Sequence, residues 1–368
     1  MNQPSRPAAD GSLLHLEHPS RKTRRALVAA AGAAIALTLL SGLAFVLIGR
    51  NSQPPARSAA TVGPSPSPSP APSHHARRPL TSPFTGKRIK YLRRVLIFKI
   101  DNVPQARPQT GLTGADIVYL LPVEGGLSRI MAVFSSHVPP VVGPVRSARE
   151  EDVKLLRQFG RPAFAFSGAK PDLLPVVEHA RIADLYAGRV GGYFRGGNNV
   201  PPYNLYARTR TLLHEAPHAS LAHDIGFRFG QAPPGGKRIH SYRVSYGAAH
   251  FIFWWSPKRH RWLVSMDGTL ARASDGQLLG GRTVVVQYTR VRASVFRELG
   301  VKCPYAVTVG HGRADVLRNG RVYHVRWRRH TKNAGTKFFL PAGHRMRFAR
   351  GQVWVIYAFG PGSTPGLR

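Results

Sequence analysis

Cysteine is nearly absent: Cys303 is the single one in 368 residues. One thiol cannot close an internal disulfide, and with no paired base identifiable in the sequence it does not read as a nucleophile. Acidic residues are scarce as well, 17 Asp plus Glu against 53 Lys plus Arg, a formal net charge of +36. That excess favours anionic partners such as nucleic acid, phospholipid head groups or anionic wall polymers, and composition alone does not choose among them. Also missing are the GxGxxG and GxxxxGKS/T phosphate loops and a nucleophile elbow. The sequence therefore assigns no enzyme class, and no cofactor or metal is expected.

What is present begins with 24 consecutive residues without a charge, 26–49. The run is long enough to span a hydrocarbon core and exceeds a typical signal-peptide apolar region. Arg21, Lys22, Arg24 and Arg25 precede it, which favours an inside amino terminus and an extracytoplasmic remainder. On this reading residues 1–25 are a basic cytoplasmic tail and 26–49 a signal-anchor helix that makes the chain a single-pass membrane protein. Cleavage after the Ala-rich segment 56–60 is the alternative. Residues 50–82, with GPSPSPSPAPS, lack apolar periodicity and read as an extended Pro/Ser-rich spacer rising roughly 3 Å per residue. Outside a membrane, nucleic acid is the least favoured anionic partner.

Residues 83–226 read as an α/β (or α+β) domain. Three apolar runs, 95–100, 115–123 and 130–135, are rich in β-branched residues and bounded by Gly, Pro or charge, as buried strands are. In the third, Ile130, Ala132 and Phe134 alternate with Met131 and Val133, so neither face is polar and the strand belongs inside a covered sheet. Further strands are expected at 162–167 and near 182–186. Helices are expected after a capping box at 147–150, after Pro171, and near 209–215. The charges sit at the ends of the strands. Asp101 and Asn102 close the first, Glu124 with Gly125 and Gly126 closes the second, and Arg129 opens the third. Arg107, Arg146 and Arg149 lie in the connecting loops. Asp101, Glu124, Arg129, Arg146 and Arg149 are expected to meet in one polar cleft. Guanidiniums beyond those needed to neutralise two carboxylates are then free to hold an anionic group. The competing reading is an ion-pair network that only locks the sheet to its loops.

The Gly- and Pro-rich stretch 190–204, carrying Arg195, Asn198, Asn199 and Asn204, reads as a long loop, and Arg195 and Asn204 join the candidate ligand residues. His214-Glu215-Ala216-Pro217-His218 spells HExxH. Pro217 lacks the N–H that a continuing helical turn needs, so a helix ending near Glu215 explains these residues better than a zinc site.

The segments IDNVPQARPQTGL, ADIVYLLPVEGGLSRIMAVF and VGPVRSARE, continuing through FSGA, YFRGG and PPYNLY, resemble the YerB-like lipoprotein family of bacteria, a domain of unknown function. The likeness extends more loosely through GGRTVVVQYT, VGHGRADVLRNGR and FARGQVWVIY. It implies an envelope protein with two adjoining domains and brings no established activity or catalytic residues. Lipid attachment in the family needs a cysteine just after the apolar segment, where this chain has none, so the helix itself must anchor. Two positions depart from the family: Leu120 stands where Glu is usual, and Tyr203 where His is more frequent. Asp101, Glu124, Arg129, Arg146, Arg149 and Asn204 keep the pattern.

Residues 237–359 read as a mainly β domain. Short runs at 251–255, 262–266, 283–288, 305–309, 322–327 and 353–357, with hairpin turns at Asn319-Gly320 and Asp267-Gly268, suggest a sandwich or small barrel. From Lys237 onward 24 Lys plus Arg face 4 Asp plus Glu, a net of 24 − 4 = +20. Arg326, Arg328, Lys337 and Arg345 crowd its last third beside Trp327 and Phe348, a mixture that can track a polyanion. The expectation is a membrane-anchored extracytoplasmic envelope protein binding an anionic wall polymer, a lipid head group or a protein partner. An extracytoplasmic hydrolase of cell-wall material is the alternative.

Overall fold

The computed structural model describes residues 79–359 apart from 198, 299 and 300. The expected anchor at 26–49, the tail before it and the spacer up to residue 78 lie outside the described residues. Among the described residues no helix is long and apolar enough to cross a membrane.

Ten strands carry one large mixed sheet: β1 (Leu96–Asp101), β2 (Ile117–Pro122), β3 (Ser128–Phe134), β4 (Ala163–Phe166), β5 (Ala183–Tyr186), β6 (Thr283–Tyr288), β7 (Gly310–Arg318), β8 (Arg321–Arg329), β9 (Lys337–Phe339) and β10 (Val353–Ala358). Their order across the sheet is β9-β8-β7-β6-β10-β2-β3-β1-β4-β5, and the short strand Lys237–Arg238 pairs with β8. The three apolar runs read from the sequence form β1, β2 and β3, and every residue in them is buried. Apolar side chains on both faces of a strand require cover on both sides. Asn319 and Gly320 turn β7 into β8 with positive φ of 51° and 70°, the backbone an Asn-Gly hairpin turn supplies.

The carboxyl-terminal strands do not close into a sandwich or barrel of their own, as their spacing had suggested. They continue the first sheet. β10 lies between β6 and β2 and runs parallel to both. All six of its residues are buried, and β2 offers them an edge that would otherwise be left unpaired. A smaller sheet of Ser241–Tyr246, Ala249–Ser256 and Arg261–Met266, with two short strands, covers one face. There Tyr242, Phe251, Phe253 and Trp262 pack on Val284, Leu317 and Trp354.

The opposite face receives α1 (Glu150–Leu156), whose Leu155 and Leu156 join Ile97, Met131 and Phe164. The other α-helices are α2 (Leu174–Glu178) and α3 (Thr209–Glu215). With helices this short, the α/β expectation is corrected to a mostly β fold with few helices, because most strands are joined by hairpins, loops and single 3₁₀ turns rather than long helical crossovers. α3 stops at Glu215, ahead of Pro217, as the missing N–H predicts. The stretch 190–204 is not wholly loop. Tyr193–Arg195 pairs with Leu205–Arg208, since Tyr193 and Phe194 are better strand formers than the glycines around them suggest.

Candidate functional site

β1 and β3 are antiparallel with Asp101 directly opposite Arg129. Side chains alternate across a strand, so Lys99, Asp101, Met131 and Arg129 all project to the face that α1 covers. Asp101 is fully buried. Its Oδ1 lies 3.2 Å from Arg129 Nη1 and its Oδ2 lies 2.7 Å from Arg146 Nε. The same Oδ1 accepts the backbone N–H of Asn102 at 2.8 Å. Glu124, in the turn joining β2 to β3, accepts a bidentate pair from Arg149, Nε to Oε2 at 3.1 Å and Nη2 to Oε1. Arg129 Nη2 reaches the same carboxylate at 4.0 Å. Burial alone pushes the Glu124 carboxyl up, but Arg149 and then Arg129 outweigh it together and hold it down at about 2. The five residues expected to converge are joined in one ion-pair cluster.

Two other candidates do not join them. Asn102 Nδ2 donates to Ser128 Oγ at 2.8 Å, and its Oδ1 accepts from Gln109 at 2.8 Å. Arg107 donates to the Asn102 carbonyl and pairs with Asp267 at 2.8 Å. Both are spent holding the turn after β1, which is a structural task. Arg195 donates to Asn204 Oδ1 at 2.8 Å on an exposed hairpin. That hairpin touches the cleft through Tyr203, whose ring lies 5.6 Å from the Arg146 guanidinium carbon. Tyr203, noted in the sequence only as a departure from the family, is thus the hairpin's contact with the cleft.

Sequence reasoning missed the layer beneath. Lys99 Nζ meets Asp152 Oδ1 at 2.6 Å with both side chains fully buried. Asp152 Oδ2 also accepts the Arg149 backbone N–H at 2.7 Å, capping α1. Helix α1 therefore begins at Glu150 with its cap residue at Arg149, later than the Ser147 start expected. Glu151 beside them is buried, its Oε1 has no hydrogen-bond partner, and burial raises its carboxyl far above the usual range. The signal was legible: a lysine inside VLIFKI, on a strand apolar on both faces, needs a buried counter-charge. On the outer side of α1, Glu150 accepts from Arg292 at 2.7 Å and Ser294 at 2.6 Å. Those residues belong to the hairpin Val291–Glu298 and Val301–Ala306.

Chemically, Glu124 is held ionised by its arginines, so it is not poised as a general acid near neutral pH. Three guanidiniums face two carboxylates. Arg146 is the most open of the three, its side chain 25% exposed. Among the described residues its terminal nitrogens have no hydrogen-bond partner.

Comparison with known proteins gives a consistent picture. Residues 83–222 match the model described as "Protein of unknown function (DUF3048) N-terminal domain", and 242–355 match the corresponding C-terminal domain. A relative named "Putative lipoprotein YerB" from Bacillus subtilis (strain 168) is 31% identical over 180 residues, 46% of this chain and 54% of its own. The chain thus matches about half the length of that curated relative. The crystal structure of YerB protein from Bacillus subtilis is similar in fold, with a TM-score of 0.65 and 23% identity over 76% of this chain and 96% of that one.

Proposed function

The chain belongs to the DUF3048 family, and from that premise we propose that it is a membrane-anchored, extracytoplasmic envelope protein that holds an anionic group in the cleft beneath Tyr203. The observation that carries this reading is Arg146: its Nε serves Asp101, while its terminal nitrogens face outward beside an aromatic ring. A guanidinium oriented in this way is pre-organised to grip phosphate or carboxylate in bidentate fashion. The name of the relative from Bacillus subtilis supports the extracytoplasmic, membrane-attached location. In this chain the apolar run 26–49 serves as anchor, because Cys303 is buried in a strand. The ligand classes compatible with the site are an anionic wall polymer, a lipid head group or an acidic surface of an envelope protein.

Binding is favoured over hydrolysis by the state of the carboxylates. Asp101 and Glu124 are each engaged by two arginines, whereas hydrolysis by paired carboxyls needs both free to face the scissile bond. The test is titration of the full chain in neutral detergent with soluble wall fragments and, separately, with phosphatidylglycerol vesicles. Arg146→Gln is expected to weaken whichever of these binds by about tenfold or more, the loss of one charge-assisted pair. Unchanged binding of both by Arg146→Gln would overturn the assignment.

A further inference from the structure

A second group of basic residues lies toward the other edge of the sheet. β7 and β8 are nine residues long, yet β6 pairs only with residues 314–318 of β7. The ribbon therefore overhangs its neighbour at 310–313 and 326–329. The small covering sheet buries Leu317 and Val322 at the inner end of this face. Asp315 closes the covered part, taking hydrogen bonds from Tyr242 and, at 3.2 Å, Tyr288, and sitting 2.6 Å from His324 Nδ1. Beyond it the register sets out two rows across three strands: Arg313, Arg326 and Phe339, then His311, Arg328 and Lys337.

These residues share one face because each row joins register partners and the rows are two residues apart along each strand. Like charges directly opposite each other in a sheet are destabilising, and here Arg313 faces Arg326 while Arg328 faces Lys337. Among the described residues no carboxylate forms an ion pair with Arg313, Arg326, Arg328 or Lys337. Among the described residues Arg313, Arg326 and Lys337 make no ion pair or side-chain hydrogen bond, and the Arg328 guanidinium carbon lies over the Phe339 ring at 5.8 Å. Arginines in the cleft, by contrast, are each matched to a carboxylate. Arg313, Arg326 and Arg328, with His311, line a groove of about 600 Å³ walled by Phe339, Leu340 and Pro341.

We infer that this groove binds an extended, flexible polymer through phosphate groups spaced along its backbone. Successive same-face positions on one strand are about 6.7 Å apart and those across strands about 5 Å, a ladder of attachment points that suits a chain bearing one charge per short repeat. A flat bilayer surface fits a groove less well than a strand does. The Phe339 ring is engaged by Arg328 and, at 5.3 Å, by Arg345 rather than left free to stack a base, which argues against nucleic acid. The site lies five strands from β3 in the sheet order, on the order of 24 Å at about 4.8 Å per strand, so it stands independently of the Arg146 cleft.

The test uses the full chain in neutral detergent and long-chain inorganic polyphosphate as probe, titrated at several salt concentrations. Arg313→Gln/Arg326→Gln/Arg328→Gln is expected to weaken binding about tenfold or more. It should also lower the slope of log affinity against log salt by roughly 2, at about 0.7 per phosphate contact on a flexible strand. A control with the same loss of charge elsewhere, Lys90→Gln/Arg243→Gln/Arg350→Gln at exposed positions, should change neither by more than about twofold. Both triple variants alter only exposed side chains, so neither should melt below the parent. Equal losses in the two triple variants, or no loss in either, overturn the inference. Loss of phosphatidylglycerol vesicle binding in the first triple variant with polyphosphate binding intact would also overturn it, in favour of a membrane-facing surface.

Discussion

Glu151, two residues after Arg149, and Glu124, paired with the same arginine, are carboxylates pushed in opposite directions. Burial raises Glu151, so between the ordinary carboxylate range and that raised value the folded chain holds a proton the unfolded chain has released. Stability then falls as pH rises above about 4.5, since the folded state binds more protons there. Glu124 is lowered to about 2 after its guanidinium partners overcome burial. Its contribution is present above about 4.5 and is lost as pH falls from there toward 2. The melting temperature is therefore expected to decline on both sides of about pH 4.5–5, and Glu151→Gln to flatten the alkaline limb above about pH 6, beyond the range in which buried Asp116 also contributes, while leaving the acid limb in place. An alkaline limb identical in the variant and the parent would show that Glu151 is ionised in the folded state. None of this was legible from composition. Glu151 sits in the charged run Arg149-Glu150-Glu151-Asp152, which reads as a solvated helix start. Its burial follows from tertiary packing, with Lys99 beneath it.

At the scale of the element, α1 is fixed to the sheet by one residue with two tasks: Asp152 caps the helix with Oδ2 and holds Lys99 with Oδ1. Removing one member of a buried pair leaves the other charge uncompensated, at about 3–5 kcal/mol, whereas removing both is often close to neutral. Lys99→Met is expected to cost about that much in urea denaturation. Lys99→Met/Asp152→Asn should recover most of it, because Asn still accepts the capping N–H. A double variant no more stable than Lys99→Met would contradict the pairing. The strands themselves were readable, β1, β2 and β3 nearly to the residue, because burial on both faces writes an unbroken apolar run. Helix α1 was placed slightly early, since Ser147 and Glu150 satisfy the spacing of a capping box while the actual cap uses Arg149 and Asp152.

Across the whole molecule, what local pattern could not supply was the pairing of β10 with β2, residues some two hundred positions apart. Periodicity reports which faces are buried and carries no register between distant strands. The consequence is one sheet through both family-matched segments, and with it the expectation that residues 79–359 unfold in a single cooperative transition. A calorimetric trace with two separated peaks would contradict a shared sheet.

The cleft was anticipated because charges had no place to go except strand ends, and the geometry separates its arginines into two kinds. Arg149 is nearly enclosed, paired to Glu124 and set at the start of α1. Arg146 is partly open and leaves its terminal nitrogens outward. The direct measurement is therefore a comparison of Arg146→Ala with Arg149→Ala, each read for melting temperature and for binding to wall fragments or phosphatidylglycerol vesicles. The account predicts that Arg149→Ala melts several degrees lower, about 3 kcal/mol for an uncompensated partner. Arg146→Ala should melt within about two degrees of the parent and bind at least about tenfold more weakly. If Arg146→Ala melts as low as Arg149→Ala while binding is untouched, the five residues are a structural clamp and the cleft holds no ligand.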